Sequence, residues 1–127
     1  MNTVIKIILV SAAVIFTSFA VNAQARLTIK NNSQRTMTVK VMKGYGGDGS
    51  LHKTVTISSY SSSTIYFSES GYYFTKTKAV LNGKEPIYQK GQPFYVTNDW
   101  TGYSVMTLTF SIIESAVPQV TGGKQIS

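Results

Sequence analysis

The feature that most constrains this chain is the alternation in residues 103–114, YSVMTLTFSIIE, where Met106, Leu108, Phe110 and Ile112 recur at every second position between serines and threonines. A period of two sets the apolar residues on one side of an extended chain and cannot make a helical stripe. The run is therefore a strand with one face in a core. The same period recurs through the chain. In RLTIKN (26–31), Leu27 and Ile29 alternate with polar neighbours. In RTMTVKVMK (35–43), Met37, Val39 and Val41 stand opposite Thr36, Thr38 and Lys40. After the glycine-rich GYGGDGS, Leu51, Val55 and Ile57 alternate with His52, Thr54 and Thr56. The segments NNSQ and GYGGDGS between these runs have turn and loop composition.

SSYSSSTIYFSESGYYF (58–74) is dense in hydroxyls and rings. A flexible linker or disordered tract would lack apolar residues at strand spacing, whereas Ile65, Phe67 and Phe74 recur around a Ser-Glu-Ser-Gly turn. Its serines are thus turn formers and solvent-facing strand residues. YYFTKTKAVLN runs into Asn82-Gly83, a pair that tolerates positive φ and marks a hairpin. PIYQK returns from it, starting at Pro86, which has no N–H for a ladder and so belongs at an edge or just outside. QPFYVTN adds a short strand with Phe94 and Val96 on one side. About eight short strands with regular turn signals and no helical period make the class all-β. The expected architecture is a small antiparallel β-sandwich, with an immunoglobulin-like Greek key preferred on strand count and domain size. The Cys, Trp, Cys signature of antibody domains is absent, so that likeness is architectural only.

Lys6 followed by the apolar run of residues 7–20, ending in Val21-Asn22-Ala23, reads as a secretory signal peptide cleaved after Ala23. The run falls short of the ~20 residues that span a bilayer comfortably. The expected division is a signal peptide at 1–23, a β-sandwich domain at 24–114 and a flexible tail at 115–127, where Pro118 and Gly122-Gly123 oppose a strand. The protein is expected to be secreted, periplasmic or extracellular. With no cysteine, it cannot be a disulfide scaffold, a thiolate metal site or a cysteine enzyme. Lys6 supplies one of the formal charges of +7, so cleavage leaves +6, spread over Arg26, Lys30, Arg35, Lys40, Lys43, Lys53, Lys76, Lys78, Lys84, Lys90 and Lys124. Such a field favours anionic partners.

Catalysis is not expected. His52 is the sole histidine, alternation puts it on a polar face with Thr54 and Thr56, and no GxSxG context is present. The acids Asp48, Glu69, Glu85, Asp99 and Glu114 are scattered singly, which favours no glycosidase pair. Asp48 and Asp99 sit in turn-forming contexts, and neither a metal site nor a cofactor is expected.

Binding residues are sought among exposed rings and amines. If the strand from 72 keeps one register, Tyr73, Thr75, Thr77, Ala79 and Leu81 share one face, while Tyr72, Phe74, Lys76, Lys78 and Val80 share the other. A β-bulge switching parity midway, so that Phe74 and Leu81 both point inward, is the preferred alternative. Tyr45, Asp99, Trp100 and Tyr103 lie in loops beside glycines and small polar residues. There a ring can stack on a sugar or sit at an interface, or, for Trp100, cap the core. The candidate ligand-binding residues are therefore Tyr45, Tyr72, Lys76, Lys78, Asp99, Trp100 and Tyr103.

The expected function is a secreted, non-enzymatic binding module for glycan or cell-surface material. A structural subunit pairing through sheet edges is the alternative, and a membrane-active β-sandwich is a further one. Expected partners are a glycan, another surface protein or an anionic surface, with self-association open. Nucleic acid is not expected, because the lysines are dispersed and the chain is exported.

Overall fold

The computed structural model describes residues 3–10, by their backbone, and residues 24–114; the predicted cleavage site after Ala23 and the tail at 115–127 lie outside them. The described chain is all-β. Its strands are β1 (Thr3–Val10), β2 (Ala25–Asn32), β3 (Thr36–Lys43), β4 (Ser50–Ile57), β5 (Ser62–Phe67), β6 (Gly71–Val80), β7 (Ile87–Lys90), β8 (Phe94–Val96), β9 (Asn98–Asp99), β10 (Gly102–Tyr103) and β11 (Val105–Glu114). One sheet runs β1-β11-β2-β5 and the larger runs β4-β3-β6-β7, with β8 also on β6 and β9–β10 as a separate small hairpin. β7 pairs along residues 76–79 of β6 and β8 along residues 71–73. More strands are present than the sequence suggests, because β1 lies in the expected signal peptide and β9–β10 occupy what reads as a loop.

Every pairing is antiparallel except β2 with β11, which run parallel from Arg26 opposite Val105 to Asn32 opposite Ser111. The long chain between β2 and β11 supplies the crossover that a parallel pair needs. Inward residues of both sheets meet in one cluster. Leu27, Ile29, Ile65, Phe67, Met106, Leu108, Phe110 and Ile112 come from one, and Met37, Val39, Val41, Ile57, Tyr73, Ala79, Phe94 and Val96 from the other. That shared interior makes the fold a small β-sandwich held by apolar packing without disulfides.

The preferred parity switch in β6 does not occur. β6 pairs with β3 in unbroken register from Thr36 opposite Val80 to Lys43 opposite Tyr73, so Phe74 stays on the outer face with Tyr72, Lys76 and Lys78. It is nonetheless fully buried. The bulge sits in β4 instead, where Met42 pairs with Leu51 and Val41 with Lys53, leaving His52 as the extra residue. This reverses the expected alternation at the start of β4. Leu51 is 58% exposed, and His52 turns from the expected polar face to stack on Phe67 at 4.9 Å and meet Tyr73 edge-on. His52 Nε2 lies 2.9 Å from the Tyr66 carbonyl, which bridges β4 to β5 across the sandwich corner.

The serine-rich stretch opens as a turn over residues 58–61 and continues into β5. Tyr60 takes a positive φ of 55°, and the Ser59 hydroxyl and Tyr60 N–H both donate to the Ser33 carbonyl. Pro86 immediately precedes edge strand β7, and the Lys84 N–H donates to the Leu81 carbonyl across Asn82-Gly83.

Arg35 is not part of the surface field: it is 2% exposed. Its guanidinium donates from Nε to Glu114 Oε2 at 2.8 Å, from Nη2 to Glu114 Oε1 at 3.1 Å, and from Nη1 to the carbonyls of Glu85 and Ala79. One side chain thereby ties the β2–β3 turn to the ends of β6 and β11 and to the loop before β7. The forked geometry satisfies the buried charge and holds the Glu114 carboxyl below the usual carboxylate range.

Candidate functional site

The outer face of the larger sheet carries its chemistry along β6. At the upper end, Tyr72 stands opposite Tyr95 on β8, their rings 5.0 Å apart and steeply inclined. Tyr45 meets Tyr72 edge-on at 4.7 Å from the glycine-rich loop, whose Gly44 N–H donates to the Tyr72 carbonyl. All three tyrosines remain exposed. Edge-to-face contact holds the rings at fixed angles while leaving area free.

Below them lies Phe74, opposite Met42 on β3; both are buried, yet neither belongs to the main core cluster. The glycine-rich loop covers Phe74. A Cβ on Gly49, where φ is +59°, would come within 2.9 Å of both the Phe74 ring and the Lys43 carbonyl, so only glycine permits this approach. The Nζ atoms of Lys90 and Lys76 stand 5.1 and 5.9 Å from the Phe74 ring centre. Lys90 Nζ also donates to the Gly47 carbonyl at 3.3 Å.

These two lysines belong to a row. Lys40 on β3 is directly opposite Lys76 on β6, which is directly opposite Lys90 on β7. One step along the strands, Thr38, Lys78 and Tyr88 form the next row, with Lys78 Nζ 5.8 Å from the Tyr88 ring centre. Thr38, Lys40, Lys76, Lys78, Tyr88 and Lys90 all line an open groove of about 610 Å³. Among the described residues, no ion pair involves Lys40, Lys76, Lys78 or Lys90. Glu69 instead binds Lys43, which lowers the pKa of the acid and raises that of the amine through their shared hydrogen bond.

Of the sequence candidates, Tyr45, Tyr72, Lys76 and Lys78 come together on this face. Asp99, Trp100 and Tyr103 lie apart, in the β9–β10 hairpin. Its base is fastened by Asn98, whose side-chain oxygen accepts from the Ala25 N–H and whose own N–H donates to the Ser70 hydroxyl. Asp99 accepts from the Thr101 N–H and hydroxyl, and the hydroxyl contact lowers its pKa. Trp100 is 90% exposed at the tip and does not cap the core; Tyr103 is the hairpin ring that packs against it.

Sequence inspection passes over Lys40, Tyr88, Lys90 and Tyr95 as site residues. Alternation with Phe94 and Val96 already turns Tyr95 outward, and Tyr88 and Lys90 share a parity. The lysine row, however, depends on the registers of β3 and β7 against β6, which no local pattern reveals. Compared with protein-family models, curated proteins and solved structures, the chain matches none.

Proposed function

We propose that the protein is a secreted, non-enzymatic binding module for glycan or cell-surface material, and that the outer face of β3, β6, β7 and β8 is its contact surface. The observation that carries this is the exposed cluster of Tyr72 on β6, Tyr95 on β8 and Tyr45 from the glycine-rich loop, on the same sheet face as a lysine-lined groove. Rings held at fixed angles lose little entropy when they stack on a sugar, and hydrogen-bond donors lie within the same surface. Trp100, exposed at the tip of its hairpin, supplies a further ring.

The test is retention on a panel of insoluble polysaccharides. Tyr72→Ala is expected to weaken binding to the retained polymer about tenfold with little change in melting temperature. Equal retention of wild type and a folded Tyr72→Ala would place the contact elsewhere.

A second function, assembly through sheet edges, is favoured by one feature. The backbone of β1 occupies the outer edge of β11, with Ile5, Ile7 and Leu9 opposite Ile112, Phe110 and Leu108. Cleavage after Ala23 would remove β1 and open that edge to another strand. Mass that rises with concentration in the processed protein, but not in a form retaining residues 1–23, is the expected signature.

A further inference from the structure

We infer that the row of Lys40, Lys76 and Lys90 is an anion-binding subsite for an acidic polysaccharide, one bearing sulfate or carboxylate groups along its length. This rests on the proposed glycan-binding function and specifies its substrate class.

Like charges directly opposite one another on neighbouring strands destabilise a sheet. Here three stand in line across β3, β6 and β7 with no carboxylate paired to any of them among the described residues. The repulsion is only partly offset by the Phe74 ring, shared by Lys76 and Lys90, and by the Gly47 carbonyl. Alternation requires that this face be polar but not that it be cationic. Thr54 and Thr56 on β4 and Thr38 on β3 fill equivalent positions without charge. An arrangement that opposes folding and lines an open groove is what a site for an anionic ligand needs.

The geometry narrows the class. Adjacent strands lie ~4.8 Å apart, so the backbone positions that carry the three lysines recur across the sheet at close to the repeat of one sugar unit, within reach of their flexible stems. A chain lying across the strands can therefore set successive acidic groups near successive lysines, while Tyr88 on one flank and the Tyr72 cluster above offer ring faces to the sugar itself. A lipid surface fits less well. The cations line a groove bordered by the glycine-rich loop rather than a projecting patch, and the exposed Trp100 lies on a different element.

The experiment measures affinity of the purified protein for dextran sulfate, polygalacturonate, neutral dextran and phosphatidylglycerol vesicles over a range of salt. Wild type is compared with two double variants of equal net charge, Lys40→Gln/Lys76→Gln in the row and Lys30→Gln/Lys53→Gln outside it. The expected result is preference for one or both acidic polymers over dextran, with at least a tenfold loss in the row variant and little change in the other. The slope of log affinity against log salt should fall by about one per lysine removed from the row. The dextran sulfate and polygalacturonate arms separate a sulfated from a carboxylated ligand.

Equal losses in both double variants would reduce the effect to net charge and overturn the inference. Tighter binding to the vesicles than to either acidic polymer would overturn it in favour of a membrane surface. Retention on neutral polysaccharide that depends on Tyr72 but not on Lys40 and Lys76 would overturn it while leaving the glycan-binding function standing. No polysaccharide binding at all would remove both.

Discussion

Two regions of this molecule handle positive charge in opposite ways. At the corner formed by the β2–β3 turn and the ends of β6 and β11, Arg35 is buried and meets a bidentate carboxylate and two backbone carbonyls. Across β3, β6 and β7, Lys40, Lys76 and Lys90 face one another at a groove with no acid partner among the described residues. The first is a charge used to hold the fold, because its desolvation is compensated only while every donor has an acceptor. The second works weakly against the fold and is left open to solvent. The two kinds cannot be told apart by counting lysines and arginines, since Arg35 contributes to the formal charge as Lys40 does while adding nothing to the surface field.

The largest effect is expected at the corner. Arg35→Ala leaves Glu114 and two carbonyls without their donor, and is expected to lower unfolding free energy by about 3–5 kcal/mol in urea or thermal unfolding. A loss near zero would show that the corner is not structural. Next in size is Gly49→Ala. Its Cβ would collide with Phe74 and the Lys43 carbonyl at a positive φ, and about 2 kcal/mol should be lost. Exposure of Phe74 should accompany that loss and weaken polysaccharide retention.

Acid sharpens the distinction. The Arg35 contact depresses the folded-state pKa of Glu114 below its ordinary 4.5, so this pair contributes stability that is complete above that value and is lost as the pH falls through the depressed folded pKa. Stability measured from pH 6 downward should therefore decline below about pH 4.5. Glu114→Gln should be less stable at pH 6 and show a shallower decline; an unchanged slope would remove the pair from the acid response. The smallest effect has the opposite sign. Lys76→Gln relieves two cross-strand repulsions and is expected to stabilise the protein by roughly 0.5 kcal/mol, even as it weakens acidic-polymer binding. Loss of both stability and binding would mean that the row is part of the scaffold.

Much of the sandwich was legible in the chain because alternation is a local signal. Met106 to Ile112, Met37 to Val41 and Leu27 to Ile29 all face the core as their spacing requires. The errors arise where one residue shifts the parity. The bulge at His52 exchanged it with Leu51, and nothing in LHKTVTI marks that position; the imidazole there stacks on Phe67 and meets Tyr73 edge-on, rings supplied by β5 and β6. Conversely, Phe74 looked inward-facing because it is large and apolar, yet it is buried on the outer face beneath a loop of glycines. The candidate site was half legible. Tyr72, Lys76 and Lys78 share a parity within one strand, but Lys40 and Lys90 join them only through pairing between strands.

The most direct test of the outer face as the binding surface is a titration of isotope-labelled protein with soluble acidic polysaccharide, followed by backbone amide resonances. Shifts are expected to concentrate at Tyr45, Tyr72, Lys76, Tyr88, Lys90 and Tyr95, while Thr28, Lys30, Thr107 and Thr109 on the other sheet stay in place. Shifts centred on that other sheet or on the edge of β11, with the β6 face unmoved, would contradict the account.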